Sequence, residues 1–202
     1  HEELETIRAL RDGRKQLRFS GVVLLDGETD EPRTYVFVIG ESANRNHMSL
    51  YGSRRPTTPV LEALAAGGML VYRDVASANT HTIPSLRATL LFHAIDAGKD
   101  ILEARSLIGL FNAAGFTTYW LSNQTASSDG LTGTAVIAGD ARHALFLNRA
   151  SHEGKSTSHD GVLLPALRNA LQEPGRNKAI FLHLIGSNLS YELRYPEAFA
   201  RF

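Results

Sequence analysis

Residues Tyr35–Tyr51 have the sequence YVFVIGESANRNHMSLY. The first five, Tyr35–Ile39, are aromatic or β-branched, which predicts a β-strand that is buried on both faces. Gly40 ends that strand, and a carboxylate and a hydroxyl, Glu41 and Ser42, follow at once. Ligands of open α/β sheets bind just beyond the carboxyl ends of the strands. Glu41 is therefore placed to meet a cation or a reacting group, although this stretch alone fits a turn with a solvated acid equally well.

The composition indicates a globular domain with no electrostatic preference for nucleic acid. Hydrophobic residues make up 43% and charged residues 21% of the 202 positions, and 21 basic residues balance 21 acidic ones. Such a chain has no net field that would attract nucleic acid or an acidic membrane. The absence of cysteine excludes structural disulfides and thiolate metal sites. Because the sequence starts at His1 and stops at Phe202 inside a helical pattern, we interpret it as part of a longer protein.

Strand-like and helical patterns alternate along the sequence. The apolar runs Phe116–Leu121 and Ala179–Ile185 resemble Tyr35–Ile39, and helical patterns lie between the three. This alternation predicts an α/β fold, with a mainly parallel sheet and helices on both faces. Met69–Val75 is a further predicted strand, whereas Ala135–Asn148 fits neither a helix nor a strand clearly.

The predicted organisation has two parts. Residues 1–33 are expected to form a lead-in helix, Glu2–Leu17, and a short strand, Gly21–Leu25. Residues 34–202 are expected to form one domain, because neither an internal repeat nor a linker-like segment interrupts them.

A segment rich in hydroxyl groups, Ser77–Ser85, has the sequence SANTHTIPS and lies between a predicted strand and a predicted helix. The free N–H groups and the dipole of a helix N-terminus favour a bound phosphate or sulfate. A hydroxyl in that position becomes a nucleophile when a divalent cation lowers its pKa. Capping of the helix by Thr80 or Thr82 is the more common role of such residues, and the segment alone favours it.

Several blocks of this sequence resemble, in order, those of the phosphoethanolamine transferases, which are membrane-anchored, sulfatase-like members of the alkaline phosphatase superfamily. The matching blocks are VIGESA at 38–43, NHMSLYG at 46–52, RPTTP at 55–59, NTHTIPSL at 79–86, YWLSNQ at 119–124, HLIGS at 183–187 and RYP at 194–196. The fourth block resembles the branch that acts on the lipopolysaccharide core. The lipid A branch instead carries a disulfide-flanked Cys-Gly-Thr block, and this chain has no cysteine.

The resemblance implies a zinc site and a nucleophile. Glu41 matches the family's carboxylate ligand of the catalytic zinc, and Thr80 matches the nucleophile, which ligates the same ion and is transiently phosphoethanolaminated. For His183, in the middle of an apolar strand, a hydrogen-bonded core residue is the simpler interpretation. The substrate-binding residues that the resemblance suggests are Asn79, His81, Asn123, Gln124, Thr125, His183 and Asn188.

Two departures from the family pattern limit what this chain is expected to do alone. Asn188 stands where the family usually has a histidine, and asparagine can neither act as an acid nor serve as a good zinc ligand. The remaining zinc ligands are expected beyond Phe202, so we expect weak zinc binding and no turnover from these residues by themselves. The sheet is expected to be incomplete, and its exposed strand edges favour self-association.

Residues and resemblance together predict transfer of phosphoethanolamine from phosphatidylethanolamine to lipopolysaccharide, at a core or lipid A phosphate or sugar. The zinc-activated hydroxyl of Thr80 would carry the group. The expected location is the bacterial inner membrane, held by segments of the longer protein, with this domain facing the periplasm. Two alternatives remain open: a sulfatase-like hydrolase that uses Glu41 and Thr80 but passes the group to water, and a non-catalytic relic, for which Asn188 argues.

Overall fold

The computed structural model describes residues 13–14, 17, 19–23, 31–92, 103–125, 134–149 and 156–200. Most of the expected helix Glu2–Leu17 lies outside these residues. The described part of the expected strand Gly21–Leu25, residues 21–23, is not a strand. Within the described ranges, no helix has the length and apolar character needed to cross a membrane.

A four-stranded sheet forms the centre of the fold. Its strands are β1 (Thr34–Ile39), β2 (Thr117–Thr125), β3 (His143–Asn148) and β4 (Lys178–His183), in the order β1-β4-β2-β3. All three pairings are parallel. The predicted α/β fold with a mainly parallel sheet is therefore confirmed.

Helices cover both faces of the sheet. The described helices are α1 (Pro59–Ala66), α2 (Thr82–Leu90), α3 (Leu107–Ala113), α4 (Thr134–Ala138) and α5 (Leu163–Gln172). Side chains of α2, α3 and α4 pack with Trp120 and Phe181 on one face, and α5 packs with Leu121 and Ile180 on the other. Successive side chains of a strand point to opposite faces, so β2 and β4 feed both cores at once.

β1 differs from its prediction, because it is an edge strand and one of its faces is open. Phe37 and Ile39 pack into the core under α2–α4. Val36 and Val38 are 43% and 63% exposed, because α5 on that side packs over β2 and β4. An apolar run identifies a strand but does not say which of its faces a helix will cover.

The segment Met69–Val75, a predicted strand, does not form one. Leu70 and Tyr72 are 80% and 71% exposed, and no strand of the described sheet pairs with this segment. A strand needs a neighbour for its hydrogen bonds, which β-propensity alone cannot supply. The ambiguous stretch Ala135–Asn148 contains all but the first residue of α4, a turn and β3.

Candidate active site

The carboxyl ends of β1, β4 and β2 lie side by side. Ile39, the last residue of β1, pairs with His183, the last residue of β4. Ser122 also pairs with His183, and β2 continues for three residues beyond it, to Thr125. Glu41 follows β1 by two residues, and Gln124 is the last but one residue of β2. This is the edge at which open parallel sheets bind their ligands.

The Glu41 carboxylate is the centre of a small cluster of hydroxyl and amide groups. Its Oε2 accepts a hydrogen bond of 2.6 Å from Thr82 Oγ1 and a long one of 3.4 Å from Gln124 Nε2. Its Oε1 accepts a bond of 2.8 Å from Ser42 Oγ. The half-buried carboxylate is thus held on both oxygens while the site stays open to solvent.

The hydroxyl that bonds to Glu41 belongs to Thr82, whereas the family resemblance implies Thr80 as nucleophile and zinc ligand. Thr82 is the first residue of α2, at the end of the helix where backbone N–H groups are free. Thr80 is exposed, and its Oγ1 lies 3.1 Å from Nδ1 of His81. The roles of Thr80 as nucleophile and zinc ligand stay a prediction.

The turn before α2 explains why Thr82, and not Thr80, bonds to Glu41. The side-chain oxygen of Asn79 accepts from the His81 backbone N–H at 3.0 Å, and its main-chain oxygen accepts from Ser77 Oγ and Ser85 Oγ. These bonds fold residues 77–81 into a compact turn that holds Thr80 on its outer side. Asn79 and His81 therefore shape the turn. Hydroxyl groups stand at four nearby positions, and their spacing alone does not distinguish among them.

The three polar residues at the end of β2 have different surroundings. Gln124 donates from Nε2 to the main-chain oxygen of Leu184 at 2.8 Å as well as to Glu41. Asn123 is fully buried, and both ends of its side-chain amide bond to protein groups. Thr125 is also buried. Of the three, only Gln124 forms a side-chain hydrogen bond to Glu41.

His183 lies in the core of the sheet. It is fully buried, with its ring 5.3 Å from that of Trp120 and its Nδ1 3.3 Å from Ser122 Oγ. Burial lowers the pKa of the imidazole to about 4, a shift that the carboxylates of Glu41 and Asp160 oppose without reversing. His183 is therefore neutral near pH 7, in keeping with the simpler interpretation of this residue.

The turn after β4 supports the backbone of Glu41. Ser187 N–H donates to the main-chain oxygen of Glu41 at 2.9 Å. Gly186 adopts a φ of +52°, and a Cβ on it would lie 2.6 Å from that same oxygen. Only glycine permits so close an approach of the two backbones. Asn188, two positions further on, donates its N–H to Ile185 and accepts from Leu189 N–H through its side chain.

The donor atoms of Glu41 and Thr82 fit a zinc site in part. Zinc accepts carboxylate and other oxygen ligands and takes three or four protein ligands in all. The ranges that the structure describes contain no group of three or more His, Cys, Asp or Glu able to hold a metal. The carboxylate and the hydroxyl can thus supply two ligands of such a site.

Comparison with known proteins assigns this chain to a family. A family model described as Sulfatase matches residues 33–202. The chain belongs to the sulfatase family. Phosphoethanolamine transferase CptA of Salmonella typhimurium is 34% identical to it over 180 residues, which are 88% of this chain and 31% of that protein. The predicted resemblance to the sulfatase-like phosphoethanolamine transferases is thereby confirmed.

Solved structures match this fold. The C-terminal periplasmic domain of EcEptC from Escherichia coli superposes with a TM-score of 0.72 at 32% identity, covering 86% of this chain and 48% of that one. A second structure of that domain is a complex with Zn and matches with the same TM-score and identity, covering 49% of its own chain. The chain therefore spans about a third of the curated relative and about half of the solved domain.

Proposed function

We propose that this chain is the part of a phosphoethanolamine transferase that carries the nucleophile and one carboxylate ligand of the catalytic zinc. The donor is phosphatidylethanolamine and the acceptor is a phosphate or sugar of lipopolysaccharide, at the periplasmic face of the bacterial inner membrane. The hydrogen bond of 2.6 Å between Thr82 Oγ1 and Glu41 Oε2 carries the proposal, because it joins a hydroxyl to a carboxylate, a group that can ligate zinc. The names of CptA and EcEptC and the zinc complex of the latter support it.

The residues of the chain have distinct roles in this reaction. Glu41 and Thr82 would hold the zinc, which when bound supplies the Lewis acidity that lowers the pKa of the threonine hydroxyl. The Thr82 oxygen attacks the donor phosphorus, the bond from phosphorus to the diacylglycerol oxygen breaks, and diacylglycerol leaves with a proton. The backbone N–H groups at the start of α2 stabilise the phosphoryl oxygens. An oxygen of the acceptor then attacks the same phosphorus and releases Thr82.

The nucleophile is tested by comparing Thr82→Val with Thr80→Val in the full-length protein. Valine keeps the β-branched shape and removes only the hydroxyl. Loss of a nucleophile costs several orders of magnitude, so Thr82→Val should lower transfer by about 10³-fold or more. Thr80→Val changes an exposed side chain and should stay within about threefold of the wild type. Transfer is measured as diacylglycerol released and acceptor modified, by mass spectrometry.

The opposite results have definite meanings. If Thr80→Val abolishes transfer and Thr82→Val does not, the nucleophile is Thr80, as the sequence resemblance implies. If neither substitution lowers transfer, the chain does not use this segment as its nucleophile and the proposed function is wrong.

A sulfatase-like hydrolase is the second candidate, favoured by the description of the matching family model. It would use the same carboxylate and hydroxyl but pass the bound group to water. Product analysis with phosphatidylethanolamine distinguishes the two activities. A transferase leaves a modified acceptor, whereas a hydrolase leaves free phosphoethanolamine in an amount that does not depend on the acceptor.

A further inference from the structure

Asp160 accepts hydrogen bonds from a segment far from it in sequence. It lies in the 3-10 turn Asp160–Val162 that leads into α5. Its Oδ1 accepts from the Ile185 N–H at 2.8 Å, and its Oδ2 accepts from the Gly186 N–H at 2.9 Å. A third bond, 3.0 Å long, reaches Oδ1 from Asn123 Nδ2. One carboxylate thus binds two consecutive backbone N–H groups of the turn after β4.

That turn is the support of Glu41. Gly186 packs against the Glu41 backbone so closely that no Cβ would fit, and Ser187 N–H bonds to the Glu41 main-chain oxygen. The amide of Gln124 bonds both to Leu184, just before the turn, and to the Glu41 carboxylate. A shift of the turn would therefore move the Glu41 backbone and the side chain that steadies its carboxylate.

We propose that Asp160 is a positioning residue for Glu41. By fixing the Ile185–Gly186 backbone, it sets the place of the Glu41 carboxylate relative to Thr82 Oγ1, and its own hydrogen bonds go to Ile185, Gly186 and Asn123. Hydrogen bonds from N–H groups to a carboxylate are about twice as strong as those to a neutral acceptor, which suits Asp160 to this task. The inference rests on the proposed function, in which Glu41 and Thr82 hold zinc.

The Asp160→Asn variant of the full-length protein tests the role. An amide keeps one acceptor oxygen and directs an N–H₂ group at a backbone N–H, so at least one of the three bonds is lost. Two results are expected: faster hydrogen exchange of the Ile185 and Gly186 amides, measured by NMR, and weaker binding of Zn²⁺, measured by competition with a chromophoric chelator. Residues that orient a metal ligand typically cost about 10–100-fold in affinity when they are changed.

Ser158→Ala is the matched control. Its hydroxyl bonds to the Asn123 side-chain oxygen at 2.6 Å, in the same network but away from the turn after β4. Zinc affinity and exchange of the two amides should stay within about twofold of the wild type. An equal loss in Ser158→Ala and Asp160→Asn would overturn the proposal, since general loosening of the network would then explain both.

Gly186→Ala keeps the proposal testable if Asp160→Asn does not fold. The added Cβ would push the turn after β4 away from the Glu41 backbone. This variant should therefore weaken zinc binding, as Asp160→Asn does. A folded Asp160→Asn with unchanged amide exchange and unchanged zinc affinity overturns the role of Asp160, as does a folded Gly186→Ala with normal zinc affinity. If Asp160→Asn weakens zinc binding while Thr82→Val leaves transfer intact, the positioning role stands and the proposed nucleophile fails.

Discussion

At the scale of single residues, His183 shows how the fold changes the chemistry of a side chain. Its imidazole lies in the core beside Trp120, and burial lowers its pKa to about 4. An unfolded chain leaves the same group near its ordinary pKa of 6.5. Protons therefore bind more strongly to the unfolded state than to the native state between those two values.

The free energy of unfolding should accordingly fall as the pH is lowered from about 6.5 to about 4. The shift in pKa corresponds to about 3 kcal/mol of stability, which is fully present above pH 6.5. Urea denaturation between pH 4 and pH 8 measures it. His183→Gln should flatten the curve in this range, and a variant with the same slope as the wild type would contradict the assignment to His183.

The close approach of Gly186 to Glu41 leads to a second prediction. Gly186→Ala places a Cβ against the Glu41 backbone at a positive φ and should lower the free energy of unfolding by about 1–3 kcal/mol. At Gly161, a Cβ would have no atom within 4 Å and φ is not positive, so Gly161→Ala should change stability by only about 0.5 kcal/mol. Thermal unfolding of the two variants gives the comparison.

The sequence predicted one residue of the Glu41–Thr82 pair but not the other. Glu41 was predictable, because an acid directly after a buried strand and a glycine stands at a sheet edge. Thr82 was not, because the choice among neighbouring hydroxyls depends on the turn that Asn79 makes before α2. Asp160 was hidden for a similar reason, since its backbone hydrogen-bond donors are 25 and 26 residues away.

At the scale of elements, α3 begins where a side chain provides its cap. Ser106 Oγ accepts from the Gly109 N–H at 3.0 Å and donates to Asp140 Oδ2 at 2.6 Å. The same carboxylate forms a largely buried ion pair with Arg14. The start of α3, the turn after α4 and the chain near residue 14 are thus joined through one acid.

Ser106→Ala should therefore destabilise the protein by about 1–2 kcal/mol, the usual cost of a lost N-cap. Thr89, an exposed residue of α2 whose hydroxyl bonds to Ser85 of its own helix, serves as the comparison, and Thr89→Ala should cost about 0.5 kcal/mol or less. If urea denaturation shows equal losses of stability in the two variants, the Ser106 cap does not contribute to the free energy of unfolding beyond an ordinary hydroxyl.

Which elements form was easier to predict than what surrounds them. Sequence periodicity predicted the strands β1, β2 and β4 and the α/β class. Each of these strands is an apolar run long enough to be recognised as a strand without its neighbours. The exposed face of β1 and the lack of a strand at Met69–Val75 did not, because pairing and cover come from distant parts of the chain. β3 was missed since it shares a short stretch with α4.

At the scale of the whole molecule, β1 is an exposed edge. No strand within the described ranges pairs with its outer side, and Val36 and Val38 add apolar surface beside it. Unpaired edge groups of this kind bind other strands. The sheet has two edge strands, β1 and β3, and the edge of β1 is a candidate location for the self-association that the sequence predicts.

The isolated chain of 202 residues should therefore associate in a concentration-dependent way. Val38→Lys puts a charge on the open face of β1 and should shift the chain toward the monomer in sedimentation velocity. Val60, 71% exposed on α1, provides a control of equal chemistry away from the sheet. If Val60→Lys disperses the chain as well as Val38→Lys does, the edge of β1 is not the contact.

The pairing of β1 with β4 has a consequence for folding during synthesis. The hydrogen bond from Arg33 to Asn177 at the start of the two strands spans 144 residues, so β1 leaves the ribosome long before its partner exists. At about 5–20 residues per second, the delay is roughly 7–30 s. During that time Glu41 has neither the turn after β4 nor the amide of Gln124 fully in place. The nascent protein must therefore pass through an interval in which Glu41, the carboxylate proposed here to bind zinc, lacks the contacts that position it in the folded protein.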